Sequence, residues 1–124
     1  MNEQSLGFVN QLIEKTEKGK LSWSAGFEDD QYKTLLPDGN LAFVVQVKGD
    51  VRKFKMLDDH QDIIIEETVP LSETVANKIN YGDDTCERLY EAIGNLQELA
   101  CRRASQVNEK MAKLAKAGEM LAAI

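Results

Sequence analysis

One histidine, His60, is all that this chain of 124 residues holds, and the scarcity is informative. A Ser-His-Asp or Cys-His device needs a histidine as its general base. His60 sits in an acidic turn, Asp58-Asp59-His60-Gln61-Asp62, and nothing in the sequence brings a serine or cysteine to it. If the chain were a hydrolase, His60→Ala would have to abolish the activity. The same turn lacks the central glycine and distal glutamate of a calcium loop, and zinc would want more His or Cys ligands. The phosphate-cradling patterns GxxxxGK[ST] and GxGxxG are missing as well. The expectation is a protein that is not an enzyme, with no metal and no cofactor.

Other absences bound the setting. No apolar run approaches the roughly 18 residues that span a bilayer. Met1-Asn2-Glu3-Gln4-Ser5 offers neither a basic nor an apolar leader segment, so a cytoplasmic protein is expected. Cysteine is limited to Cys86 and Cys101, which fall in one predicted helix. At a rise of 1.5 Å per residue they lie about 22 Å apart, beyond the roughly 7 Å that a disulfide tolerates. Two free thiols suit a reducing compartment. No internal repeat or low-complexity segment is evident.

What is present describes one globular domain over residues 1–124. Hydrophobic residues make up 43% and charged residues 29%, enough apolar material for one core and too much for disorder. The formal charge is −6 and the pI about 4.8, which disfavours nucleic acid and anionic membrane as partners.

The apolar period divides the chain. Leu6, Val9 and Ile13, widened by Phe8 and Leu12, predict an amphipathic helix over residues 3–18, closed by Gly19. Lys20-Leu21-Ser22-Trp23 reads as a short extended piece, and residues 24–30 as a polar loop. Period two then takes over. Strands are expected at 32–36, 41–47, 51–56 and 63–68, joined by Pro37-Asp38-Gly39-Asn40, Lys48-Gly49-Asp50 and the acidic turn. In the third strand Arg52, Phe54 and Met56 share one face, and Val51, Lys53 and Lys55 the other. A short helix over 71–79, capped by Ser72, is expected to point Val75 and Ile79 inward. Asp83 or Asp84 then caps a last, long helix. The fold expected is α+β: a four-stranded antiparallel meander covered by an N-terminal helix and a long C-terminal helix.

That last helix carries the functional reading. Cys86, Leu89, Ile93, Leu96, Ala100, Ala104, Val107, Met111, Leu114, Gly118 and Leu121 follow one another by three or four residues. The mean spacing is about 3.5, the coiled-coil value. Unbroken from about 84 to 121, the helix would be roughly 57 Å long. A domain of this size is only about 36 Å across. Either the helix breaks, with Gly94 and the polar stretch 102–106 as weak points, or residues 104–124 form a projecting extension. In the second case Ala104, Val107, Met111, Leu114, Gly118 and Leu121 form a contact for self-association or for a protein partner.

An alternative is a small-ligand or nucleotide-binding protein. Lys48, Arg52, Lys53 and Lys55 concentrate positive charge around one hairpin. Trp23, Phe27 and Tyr32, with Tyr81 and Tyr90, offer aromatic walls for a pocket between helix and sheet. On that reading Trp23, Tyr32 and the basic hairpin share one site.

Three segments, FVNQLIEKTEKGKLSW, YKTLLPDGNLAFVV and LYEAIGNLQELACRRA, together resemble a recurring type of small bacterial or phage protein. In that type an N-terminal helix runs into a G-K-L-x-W strand, a meander follows, and the terminal helix begins near an L-Y pair. The resemblance implies an accessory piece of a bacterial conflict or mobile-element system and carries no catalytic residues. The combined expectation is a non-enzymatic interaction module that forms a homodimer, with the outer face of its sheet available to a protein partner.

Overall fold

A computed structural model describes residues 2–37 and 39–124, with the side chains of Asn2, Val107, Asn108 and Glu109 outside that description. Helix α1 (Asn2–Glu17) precedes five strands, β1 (Trp23–Ala25), β2 (Gln31–Leu35), β3 (Ala42–Lys48), β4 (Val51–Leu57) and β5 (Ile63–Pro70). Helices α2 (Leu71–Tyr81) and α3 (Thr85–Ala122) complete the chain. The strands form one antiparallel sheet in the order β1-β2-β3-β4-β5, each paired with its sequence neighbour.

The class is α+β, as the periodicity implies, and the sheet has one strand more than expected. Trp23–Ala25 pairs with Tyr32–Thr34 and forms the edge. Three residues are too few to display a period of two. What holds them is Trp23, 3% exposed, whose indole Nε1 donates to Thr16 Oγ1 at 2.9 Å. Thr16 Oγ1 in turn donates to the Leu12 carbonyl at 2.7 Å, so this buried polar chain is satisfied.

Helices α1 and α3 lie on one face of the sheet. Leu6, Val9 and Leu12 of α1 and Leu89, Ile93, Leu96 and Ala100 of α3 meet Phe43, Val45, Phe54, Met56 and Val69. The rings of Phe43 and Phe54 are stacked with centroids 6.0 Å apart. The β3–β4 hairpin turns in two residues between Lys48 and Val51, and Gly49 takes φ 61° as the first position of a II′ turn requires. In the β2–β3 connection Gly39 has φ 74° and donates its N–H to the Leu36 carbonyl. Asp38 of that turn lies outside the described residues.

Helix α2 departs from expectation in its roll and its cap. Val75 and Ile79 are 50% and 76% exposed, and the residue that turns inward is Thr74. An apolar pair at i, i+4 marks a stripe but does not say which neighbour covers it. The direction in which β5 delivers the chain at Pro70 decides that here. The N-cap is Pro70 rather than Ser72, with no side-chain cap bond, and Gly82 ends the helix in the left-handed conformation. At the start of α3 the Asp83 carboxylate accepts the Thr85 N–H at 2.9 Å, which lowers its pKa.

Candidate interaction surface

α3 is one continuous helix of 38 residues, about 57 Å from end to end. Gly94, a potential break, is instead a contact. Arg52 reaches from the inner face of β4, donates Nη1 to the Tyr90 carbonyl at 2.8 Å and places its guanidinium 4.0 Å from the Tyr90 ring centroid. A β-carbon at position 94 would collide with that guanidinium. Its Nε is buried without a hydrogen-bond partner among the described residues. Stacking and one charge-assisted bond hold the arginine there instead.

The two halves of α3 differ in burial and not in pattern. Leu89, Ile93, Leu96 and Ala100 are 0% exposed and Ala104 is 6% exposed, all within the core. Beyond Ala104 every residue whose side chain is described is exposed. Met111, Leu114 and Leu121 are 64%, 74% and 72% exposed, and a β-carbon at Gly118 would meet nothing. At 100° per residue Leu114 stands five whole turns from Leu96. The bare ridge is therefore the prolongation of the ridge that fills the core, running on past the β1 edge of the sheet. Ala104, expected in the contact, belongs to the core instead, because α1 and the sheet still cover the helix at that point. The side chain of Val107 lies outside the described residues.

The charges change along the chain too. Residues 102–124 carry five basic and two acidic side chains, against ten basic and nineteen acidic in the rest. Arg102 pairs with Glu98, and Arg103 donates to the Glu17 carbonyl at 3.3 Å, where the helix leaves the globule.

The residues of the alternative pocket are not brought together. Trp23 is buried in the core. Tyr32 faces α3, and its hydroxyl donates to Cys101 Sγ at 3.1 Å. That bond and partial burial push the phenol up to about 12. Arg52 lies on the same inner face, whereas Lys53 and Lys55 stand on the outer face and Lys48 is exposed at the end of β3. Phe27 and Tyr81 project into solvent. The side-chain alternation puts Trp23 and Tyr32 on the opposite side of the sheet from Lys53 and Lys55, while Arg52 stacks on Tyr90 and Lys55 shares the outer face with Phe27. His60 is exposed, with Nε2 3.8 Å from Asp59 Oδ1. Cys86 and Cys101 are free thiols, and burial raises the pKa of Cys86.

Sequence reasoning missed the composition of the outer face. Lys33, Val44 and Lys55 form one cross-strand row there, next to Leu57 and Ile63. Lys33 escapes a search along the chain because the basic cluster it joins lies two strands away. Only the register brings it in.

The arrangement defines a class: a one-sided α+β domain whose last helix continues as a bare amphipathic rod. No helix among the described residues is long and apolar enough to cross a membrane. Comparison with protein-family models, curated proteins and solved structures gave no match.

Proposed function

We propose that this protein is a non-enzymatic interaction module that self-associates through the exposed half of α3. The observation that carries the reading is the exposure of Met111, Leu114 and Leu121 on the same ridge whose earlier residues are the core. Burying these three side chains in both copies would stabilise a dimer by roughly 9–18 kcal/mol gross. Association costs about 4–15 kcal/mol. The balance favours a concentration-dependent dimer rather than a permanent one.

Antiparallel pairing suits the ridge. It sets Gly118 level with position 107 and Leu114 level with Met111, while Leu121 comes level with Ala104, which its own globule already covers. The bare rods overlap over residues 105–120, and the last residues of each, from Leu121 on, then come against the rim of the other globule. The bacterial or phage accessory setting rests on the resemblance of the three quoted segments, and the outer face of the sheet remains open to a further partner.

Truncation after Ser105 tests the reading. The shortened chain should keep the far-ultraviolet spectrum and melting behaviour of the globule and sediment as a monomer where the full chain sediments as a dimer. A truncated chain that still dimerises would place the contact elsewhere.

A further inference from the structure

The outer face of the sheet carries a concavity that owes nothing to α3. Lys33 of β2, Val44 of β3 and Lys55 of β4 stand side by side in one row. The loop before β2 folds over this face. Gln46 Nε2 donates to Glu28 Oε2 at 2.8 Å and to the Asp29 carbonyl at 3.3 Å, which ties the loop down. Phe27 is left at the rim, fully exposed at 104%. On the opposite side Gln61 adopts a left-handed φ of 68° and Ile63 opens β5. Between them lies a cavity of about 420 Å³ lined by Phe27, Lys33, Val44, Lys55, Leu57 and Ile63, with glutamines at both ends.

The charges there invert those of the protein. The chain has 21 acidic residues against 15 basic ones, yet no carboxylate lines this cavity. Glu66 is the cross-strand neighbour of Lys55 but lies outside the lining. Neither Lys33 nor Lys55 belongs to an ion pair among the described residues. Both are half-buried. Glu28 on the overlying loop acts on Lys55 only at a distance, and two ammonium groups without an ion pair over an apolar floor, beside an aromatic ring in solvent, ask for one kind of ligand.

We propose that this cavity binds a small amphipathic carboxylate, with its aromatic or aliphatic body against Val44, Leu57, Ile63 and Phe27 and its carboxylate between Lys33 and Lys55. The volume falls within the range of small-molecule sites, about 300–1,000 Å³. Strands about 4.8 Å apart set the two lysine backbones roughly 10 Å from each other, a gap that two four-carbon stems close onto one carboxylate. Inorganic phosphate would engage the lysines and leave the floor in water. A neutral hydrocarbon would cover the floor and leave two cations unpaired. The raised loop and the β4–β5 turn make the surface concave, which suits a small ligand better than a flat protein face.

The test is an amide-shift titration of the full ¹⁵N-labelled chain with 2-naphthoate, alongside 2-naphthalenemethanol and inorganic phosphate. Saturable shifts should cluster on Lys33, Val44, Lys55, Leu57 and Ile63, and the affinity should fall with added salt. The Lys33→Gln/Lys55→Gln variant should melt like the parent, bind naphthoate at least about fivefold more weakly and bind the alcohol unchanged. Ile63→Gln should weaken both aromatic probes. Shifts centred on the bare ridge of α3, phosphate binding as tight as naphthoate, a double variant that binds undiminished, or no saturable shift at millimolar ligand would each overturn the proposal.

Discussion

Leu96 and Leu114 permit an unusually clean comparison. They are the same residue type, in the same helix, on the same face, five turns and about 27 Å apart. Leu96 is 0% exposed and Leu114 is 74% exposed. Leu96→Ala removes core atoms and leaves a cavity, which costs about 2–5 kcal/mol of monomer stability. For a chain of this length that is a fall in Tm on the order of 10 °C. Leu114→Ala leaves no cavity in one globule, so its effect on monomer stability should stay within about 0.5 kcal/mol. In a dimer it removes apolar burial twice, about 2 kcal/mol per chain and about 4 kcal/mol per dimer. The dimer Kd should rise about a thousandfold. Urea melts at concentrations where the chain is monomeric measure the first quantity, and sedimentation equilibrium over a concentration series measures the second. The reasoning fails if Leu114→Ala destabilises the monomer as Leu96→Ala does. It fails equally if Leu114→Ala leaves Kd unchanged.

Further predictions follow from the same contacts. Val107→Cys and Gly118→Cys in one chain should form two interchain disulfides on oxidation, while Val107→Cys alone should not link to itself; a Val107→Cys chain that does link to itself on a non-reducing gel would indicate parallel helices. Gly94→Ala should destabilise the parent by about 1 kcal/mol, because the gain in helix propensity is outweighed by displacing Arg52 from Tyr90. In an Arg52→Ala background the same change should be neutral or stabilising, which a urea double-mutant cycle reads directly. Tyr32 should ionise near pH 12 in an absorbance titration. Its raised pKa stabilises the fold fully below about pH 10, and that contribution is lost as pH rises through about 12. Cys101→Ala should bring the phenol back toward the ordinary range.

The strands and helices with room to show a period were legible. β3, β4, α1 and α3 each display several apolar repeats, and the faces assigned to Arg52, Phe54 and Met56 and to Val51, Lys53 and Lys55 follow from alternation alone. β1 was not legible, since its three residues owe their conformation to Trp23 packing on Thr16, a tertiary fact. The roll of α2 was hidden for a related reason: Val75 and Ile79 form a stripe, but β5 decides where that stripe points. Gly94 read as a weakness because its reason for being glycine is an arginine 42 positions earlier. The mismatch between the length of α3 and the size of the globule was visible in sequence. Where the cover ends was not. The outer cavity was out of reach entirely, because Lys33 and Lys55 become neighbours only through the register of three strands.

The most direct check is the solution mass of the intact chain by sedimentation equilibrium from low micromolar to several hundred micromolar. The account predicts a mass that climbs toward twice 13.9 kDa as concentration rises, with a reversible monomer–dimer fit. A mass that stays at 13.9 kDa throughout would contradict it, and would mean that the bare ridge of α3 is not a surface for its own kind.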